Sequence, residues 1–338
     1  MRVARVGRGQ ASLLPAGRYA NVVTFFAMDA LLIHNPTAGP REVEDELDRV
    51  VEYLGECGWR IRKCITEHAG QATEFAHQAA LGELDVVLVA GGDGTVCEVV
   101  NGLVGTRTAM GVLPTGTGNV WAKELGLPVF TLTNPNRLLV TAHLLKEAKT
   151  RAIDVGRAND RYFLLFAGLG LDAQVAHDME PRERATKQLG LLPYLVASVL
   201  VAFEFYGVRT TVVVDGKVIK GRSLFILVSN AQLYGGVLRI TPEARLDDGL
   251  LDVVIFSGVG PQYTFRHLFS VLGGRHLQDP SVRFLRGRRV LVDCAEPWPV
   301  QTDGDPIGTT PMTFQVIPRA LRVLVPATAP ASLFVGGQ

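Results

Sequence analysis

An α/β half followed by a β-rich half is the fold class this chain predicts, and three observations carry it. From residue 28 to about 150, short apolar runs alternate with segments of helical period, the rhythm of βαβ units with a parallel sheet. After about residue 151 the runs are β-rich and broken by turn dipeptides such as Asp215-Gly216, which reads as mostly antiparallel sheet. Glycine-bearing loops then follow three of the apolar runs: HNPTAG (34–39), GGDGT (91–95) and LPTGTGN (113–119). In open α/β sheets, ligands bind at that carboxyl edge.

The elements follow in order. ALLIH (30–34) predicts the first strand, and Val43, Leu47, Val50, Val51 and Leu54 recur at helical spacing. WRIRKCIT (59–66) is the second strand, the Ala-rich segment 71–81 a helix, and LDVVLVA (84–90) the third strand. Val96, Val99, Val100 and Leu103 carry a helix directly after GGDGT. In the second half RYFLLFAGL (161–169), TTVVVDGKVIKG (210–221), SLFILVSN (223–230), LLDVVIF (250–256) and RRVLVDC (288–294) read as strands. The period changes near KEAKTRAIDVG (146–156), which divides the chain into 28–150 and 151–326, with 327–338 as a tail. Residues 1–27 read as a disordered extension or a misassigned start, because Met28 begins a strand-first domain.

Composition narrows the function classes. With 338 residues, 47% hydrophobic and 20% charged, the chain is globular and long enough for two domains. A net charge of +1 argues against an obligate nucleic-acid binder. Cys57, Cys64, Cys97 and Cys294 show no metal spacing, so reduced thiols in a cytosolic protein are expected. The longest apolar stretch, 189–208, is interrupted by Pro193 and Glu204, leaving roughly half of the ~20 residues a membrane span needs. It reads as a buried or interfacial helix, led by Arg182, Arg184 and Lys187.

A strand that ends in Gly91-Gly92-Asp93-Gly94-Thr95 and runs into a helix places backbone N–H groups at a helix N-terminus. Such a nest suits phosphate oxygens, and glycine permits their approach. A tight βα turn that needs glycine only for its dihedrals is the competing reading. Two further Gly/Thr/Asn loops on the same edge favour the phosphate site.

NPTAG, GGDGT, PTGTGNVWAKELGLP, SNAQLYGG and RLDDGLLDV occur in that order between about 29 and 325. Together they resemble the diacylglycerol kinase catalytic-domain family of lipid kinases, which includes sphingosine kinases and bacterial soluble diacylglycerol kinase-like enzymes. The resemblance implies an NAD kinase/diacylglycerol kinase-like α/β domain that binds nucleotide and a C-terminal β-sandwich domain that holds the lipid. It implies ATP on Asn35, Pro36, Thr37, Ala38 and Gly39, on Thr66, on Gly92, Asp93, Gly94, Thr95, Val96, Cys97 and Glu98, and on Thr117. Magnesium is expected to arrive with the nucleotide, since phosphoryl transfer rests on positioning and charge neutralisation. A second, structural Mg²⁺ is implied in EARLDDGLLDV (243–253), through the Asp248 carboxylate and the Arg245 and Leu250 carbonyls; a solvated turn is the alternative.

Two carboxylates are candidates for accepting the proton of the attacking hydroxyl. Asp93 sits in the phosphate loop. Asp305, in VQTDGDPIG (300–308), stands where the family commonly has the glutamate of Asp-Gly-Glu, although the same residues suit a plain hairpin turn. Other departures are Val120 where many relatives carry an acid and Cys97 where Asn is common. Asp172 resembles an acid that faces the acceptor head group, and equally suits a turn.

The expectation is therefore an ATP:lipid phosphotransferase of phospholipid biosynthesis, cytoplasmic and peripheral at the membrane, with a lipid substrate, no nucleic-acid partner and room for a homodimer. An NAD kinase-like enzyme and a catalytically silent lipid- or nucleotide-binding protein are the alternatives. Arg283, Arg286, Arg288 and Arg289 form a basic cluster that suits either a membrane or solvent, and His34 and His77 read as structural histidines.

Overall fold

The computed structural model describes residues 28–39, 43–130, 134, 136–170 and 207–337. The expectations for residues 1–27, Asp172, Arg182, Arg184, Lys187 and the apolar stretch up to Tyr206 lie outside them.

The first half alternates strand and helix as its hydrophobic periods require: β1 (Met28–His34), α1 (Glu44–Glu56), β2 (Trp59–Ile65), α2 (Gln71–Leu81), β3 (Val86–Gly91), α3 (Asp93–Leu103), β4 (Ala109–Pro114), a short α4 (Val120–Glu124) and α5 (Arg137–Lys146). The strands are parallel in the order β2–β1–β3–β4. Leu31, Ile33, Val87 and Val89 pack with Ala76, Val99, Val100 and Leu103 of α2 and α3. Leu32, Leu88 and Leu113 pack on the opposite face with Leu47, Val50, Leu54 and Leu145 of α1 and α5. Coverage on both faces is why the central strands read as unbroken apolar runs.

The second half is antiparallel: β5 (Lys149–Ala158), β6 (Arg161–Phe163), β7 (Phe166–Gly170), β8 (Val208–Val214), β9 (Lys217–Ser229), β10 (Leu233–Tyr234), β11 (Leu238–Arg239), β12 (Leu251–Ser257), helix α6 (Pro261–Leu272), β13 (Val282–Gly287), β14 (Arg289–Cys294), β15 (Pro299–Thr302), β16 (Asp305–Thr309) and β17 (Met312–Val325). Its core joins Ile226, Val228, Val253 and Ile255 to Val290, Val292, Phe314 and Trp298. Asp215 and Gly216 have φ of 46° and 86°, as a tight turn between β8 and β9 demands. RYFLLFAGL, expected as one strand, is two, broken at Leu164 and Leu165.

The two halves share a ribbon. β5 runs antiparallel to β17 along almost its whole length, while Arg322 and Val323 of β17 also pair in parallel with β4. The register shifts between Ile317 and Leu321, where Arg319 has φ of 50°. The buried Asp154 of β5 holds this bend, accepting the Arg319 N–H at 2.7 Å and the Gly249 N–H at 2.6 Å. The last residues, expected as a tail, fold back: Ala329, Leu333 and Phe334 are buried, and the Val335 N–H donates to Asp247 at 2.7 Å. No helix among the described residues is long and apolar enough to cross a membrane.

Candidate active site

The three glycine-bearing loops end β1, β3 and β4 on one sheet edge and interlock. Asn35 joins the first to the second, donating from Nδ2 to Thr95 Oγ1 at 2.9 Å, while its Oδ1 accepts from the Thr37 N–H and hydroxyl at 3.0 and 2.8 Å. Pro36 and Thr37 lie exposed at the tip, with Ala38 behind them. A Cβ on Gly39, which has φ of 88°, would overlap the Thr115 carbonyl oxygen of the third loop. A Cβ on Gly116 would lie 2.5 Å from the Gly92 Cα. These contacts explain why the loops use bare backbone: one loop lies directly against the next. Gly94 differs, since nothing lies within 4 Å of a Cβ placed there. It opens the first turn of α3, whose N-cap, Gly92, makes no side-chain cap bond. An uncapped helix N-terminus beside open space can receive phosphate oxygens.

Asp93, at the start of α3, lays its carboxylate against the third loop, at Gly118 and Val120. Its Oδ1 accepts the Val120 N–H at 2.7 Å, so the carboxylate caps α4. The Val120 departure therefore removes a side-chain acid yet keeps the main-chain donor. Burial pushes the Asp93 carboxyl above its ordinary range, opposed by N–H groups of residues 119–121 and by Lys123.

Other expected nucleotide residues are placed as follows. Thr66 is buried beside the end of β1, its N–H bonded to the His34 carbonyl at 2.9 Å. Thr95 and Val96 are buried, and Thr117 is exposed at the crest of its loop. Glu98 accepts the Ala72 N–H of α2 at 3.2 Å. Cys97 faces the second half, with Arg161 Nη2 at 3.9 Å from its sulfur and the Tyr162 carbonyl equally close. Burial pushes its thiol up to about 12. One turn on, Asn101 exchanges two hydrogen bonds of 3.1 Å with the backbone of Tyr162.

The β15–β16 turn brings the second candidate base to α3. Asp305 is bound at 2.5 Å by Arg161, the pair being 44% and 39% exposed. The neighbouring Asp303, which sequence reasoning treated only as part of a turn, accepts the N–H groups of Leu164, Leu165 and Phe166 at 2.7, 2.9 and 2.9 Å. Those bonds explain the break between β6 and β7, because a carboxylate occupies the donors that a continuous strand would use. Burial lifts Asp303 to about 6, and the charge on Asp93 adds to the rise. The two acids thus lie within electrostatic reach across the halves.

SNAQLYGG and the metal-type loop flank this point. Asn230 donates to the Asp154 and Leu164 carbonyls at 2.9 and 3.2 Å. Glu124, on the far end of α4 from Asp93, accepts the Gln232 and Leu233 N–H groups at 2.6 and 3.0 Å. Neither residue was singled out from sequence; the signal was their place inside quoted motifs. In the acidic turn Asp248 accepts the Leu250 N–H at 3.0 Å. Burial raises Asp248, Asp154 and Asp252, and the charge of nearby acids, among them Asp247 and Glu243, adds to each. Among the described residues no group of three or more His, Cys, Asp or Glu surrounds a metal position. Asp247 and Asp252 are engaged by the Val335 N–H and by Arg286, and Asp248 is a hard oxygen donor of the kind that Mg²⁺ takes. The basic cluster is partly neutralised, since Arg286 binds Asp252 at 3.0 Å.

Comparison with known proteins matches each half to a family domain. Residues 29–158 match the diacylglycerol kinase catalytic domain, and residues 166–325 match the YegS C-terminal NAD kinase beta sandwich-like domain. The diacylglycerol kinase of Bacillus subtilis (strain 168) is 30% identical over 299 residues, covering 88% of this chain and 96% of that protein. That of Staphylococcus carnosus (strain TM300) is 27% identical, covering 88% and 95%. A crystal structure of a diacylglycerol kinase from Bacillus anthracis str. Sterne superposes with a TM-score of 0.72 at 24% identity, covering 88% of this chain and 97% of that one.

Proposed function

The chain belongs to the diacylglycerol kinase family, and from that premise we propose that it transfers the γ-phosphate of ATP to a lipid hydroxyl. The observation that carries this reading is the meeting, around α3, of an uncapped phosphate-type nest from one half and the Asp303–Asp305 turn from the other.

In this reading Asn35 to Gly39, Gly92 to Glu98 and Thr117 surround the triphosphate, with main-chain N–H groups as the principal donors. Asp93 fixes the third loop through Val120. The lipid oxygen attacks the γ-phosphorus, the bond to the β–γ bridging oxygen breaks, and ADP leaves with the electron pair. The hydroxyl proton passes to a carboxylate. Asp305 stands on the acceptor side, oriented by Arg161, and Asp93 on the phosphate side. A cation bound with the nucleotide would neutralise developing phosphate charge. Asp248, with the Arg245 and Leu250 carbonyls, would hold a second Mg²⁺ that stiffens the loop below Asp154. The protein would work at a membrane surface, where its substrate resides.

Transfer of label from [γ-³²P]ATP to lipid in mixed micelles tests the reading, with diacylglycerol, a sphingoid base and phosphatidylglycerol as parallel acceptors. Incorporation into one of them is expected. Nucleotide binding without incorporation into any lipid would instead favour a silent binding protein, and phosphorylation of NAD would favour the NAD kinase reading.

A further inference from the structure

We infer that helix α6 and the adjoining end of the sandwich form a docking surface for an anionic lipid bilayer. The inference rests on the lipid-kinase reading for its purpose, but its evidence is separate. α6 touches the fold lightly: His267 is its buried residue, and Phe269 and Leu272, three positions apart on one helix face, are 67% and 61% exposed. Val259, just before the helix, is 43% exposed. Single exposed apolar residues are ordinary, whereas several on one element mark an interaction surface.

Charge selects the occupant. From Ser257 to Gln278 the chain holds Arg266 and Arg275 and no Asp or Glu. The next acid, Asp279, is engaged by Arg266 at 2.7 and 2.9 Å. The Gly258 N–H that leads into α6 donates to the Arg222 carbonyl at 3.2 Å. Arg222 in turn lines an open groove of about 570 Å³ with Arg209 and Lys220, three cations against one acid, Asp293. Arg209 and Arg222 face each other as a cross-strand pair, an arrangement that like charge disfavours and an anionic surface would relieve. Apolar side chains beside exposed cations match the interfacial layer of an anionic membrane.

The surface is also connected to the site. Aromatic rings run from Phe166, whose N–H holds Asp303, to Tyr234 (4.7 Å between centroids), Phe225 (5.8 Å), Phe256 (5.8 Å) and His267 of α6 (5.2 Å).

Co-sedimentation with vesicles tests the inference. Wild-type protein should bind phosphatidylcholine vesicles containing about one third phosphatidylglycerol, and lose binding in high salt. Phe269→Ser/Leu272→Ser should weaken binding ~tenfold or more, and Arg209→Glu/Lys220→Glu should do so independently of any folding defect in the first pair. Both variants should phosphorylate detergent-dispersed short-chain lipid at the wild-type rate. Wild-type binding by both variants would overturn the surface. So would a dimer, seen by sedimentation velocity, that Phe269→Ser/Leu272→Ser dissociates, because the face would then belong to a second copy. If the variants lose vesicle binding while wild-type protein phosphorylates no lipid, the surface stands and the kinase reading falls.

Discussion

The phosphate-type loops and the carboxylates that face them are built on opposite plans. In the loops, contacts run between backbones, with Gly39 against Thr115 and Gly116 against Gly92, and each contact needs a residue without a side chain. In the second half, single acids reach across long stretches of sequence: Asp303 to Leu164–Phe166, Asp305 to Arg161, Asp154 to Gly249 and Arg319. A backbone-built site tolerates little added volume, whereas a carboxylate-built site tolerates volume and little change of charge.

Asp93 belongs to both plans, so its loss is the largest effect expected. Asp93→Asn should lower turnover by ~10³-fold or more and also weaken ATP binding, since it positions the third loop and, in the proposed reading, stands beside the transferred phosphate. Single-turnover phosphorylation with separately measured ATP affinity would show it; unchanged ATP affinity would confine Asp93 to chemistry. Asp305→Asn should cost ~10²-fold in turnover at saturating ATP and leave ATP affinity intact. Near-wild-type turnover would give the proton to Asp93 or to solvent.

The same contrast explains what could be read from sequence. Strand and helix alternation in the first half was legible because each period is local, and the loop positions were legible because Gly, Thr and Asn cluster within a few residues. The break at Leu164-Leu165 was not, because its cause, Asp303, lies far along the chain. Nor were the contacts that Cys97 makes with Arg161 and Tyr162, and Glu98 with the N-terminus of α2, because their partners also lie far along the chain.

Two glycines separate volume from approach. Gly116→Ala should cost about 1 to 3 kcal/mol of stability by forcing its loop off Gly92, and should weaken thermal stabilisation by Mg²⁺-ATP. Gly94→Val, with open space around it, should cost at most about 1 kcal/mol in the apo protein yet reduce the ATP-induced shift. A full ATP shift in Gly94→Val would move the phosphates elsewhere.

The remaining effect concerns acidity. Burial holds Asp252 at about 6 against an ordinary 3.8, so the folded chain keeps a proton that the unfolded chain releases. That contribution is complete below about pH 4 and is lost as pH rises through about 6, up to about 3 kcal/mol for a shift of this size. Asp252→Asn should therefore gain stability relative to wild type as pH rises from about 4 to 6.5 in denaturant titrations. A constant difference would show that Arg286 keeps Asp252 charged throughout.

The ribbon of β5 and β17 sets an order of events during synthesis. β4 lacks the neighbour that β17 supplies until residues 322–323 have left the ribosome, so the first half emerges with an open sheet edge and waits for β17 to complete it. Chaperone retention on nascent chains should extend until that point, and neither half, expressed separately, would have its full complement of strands.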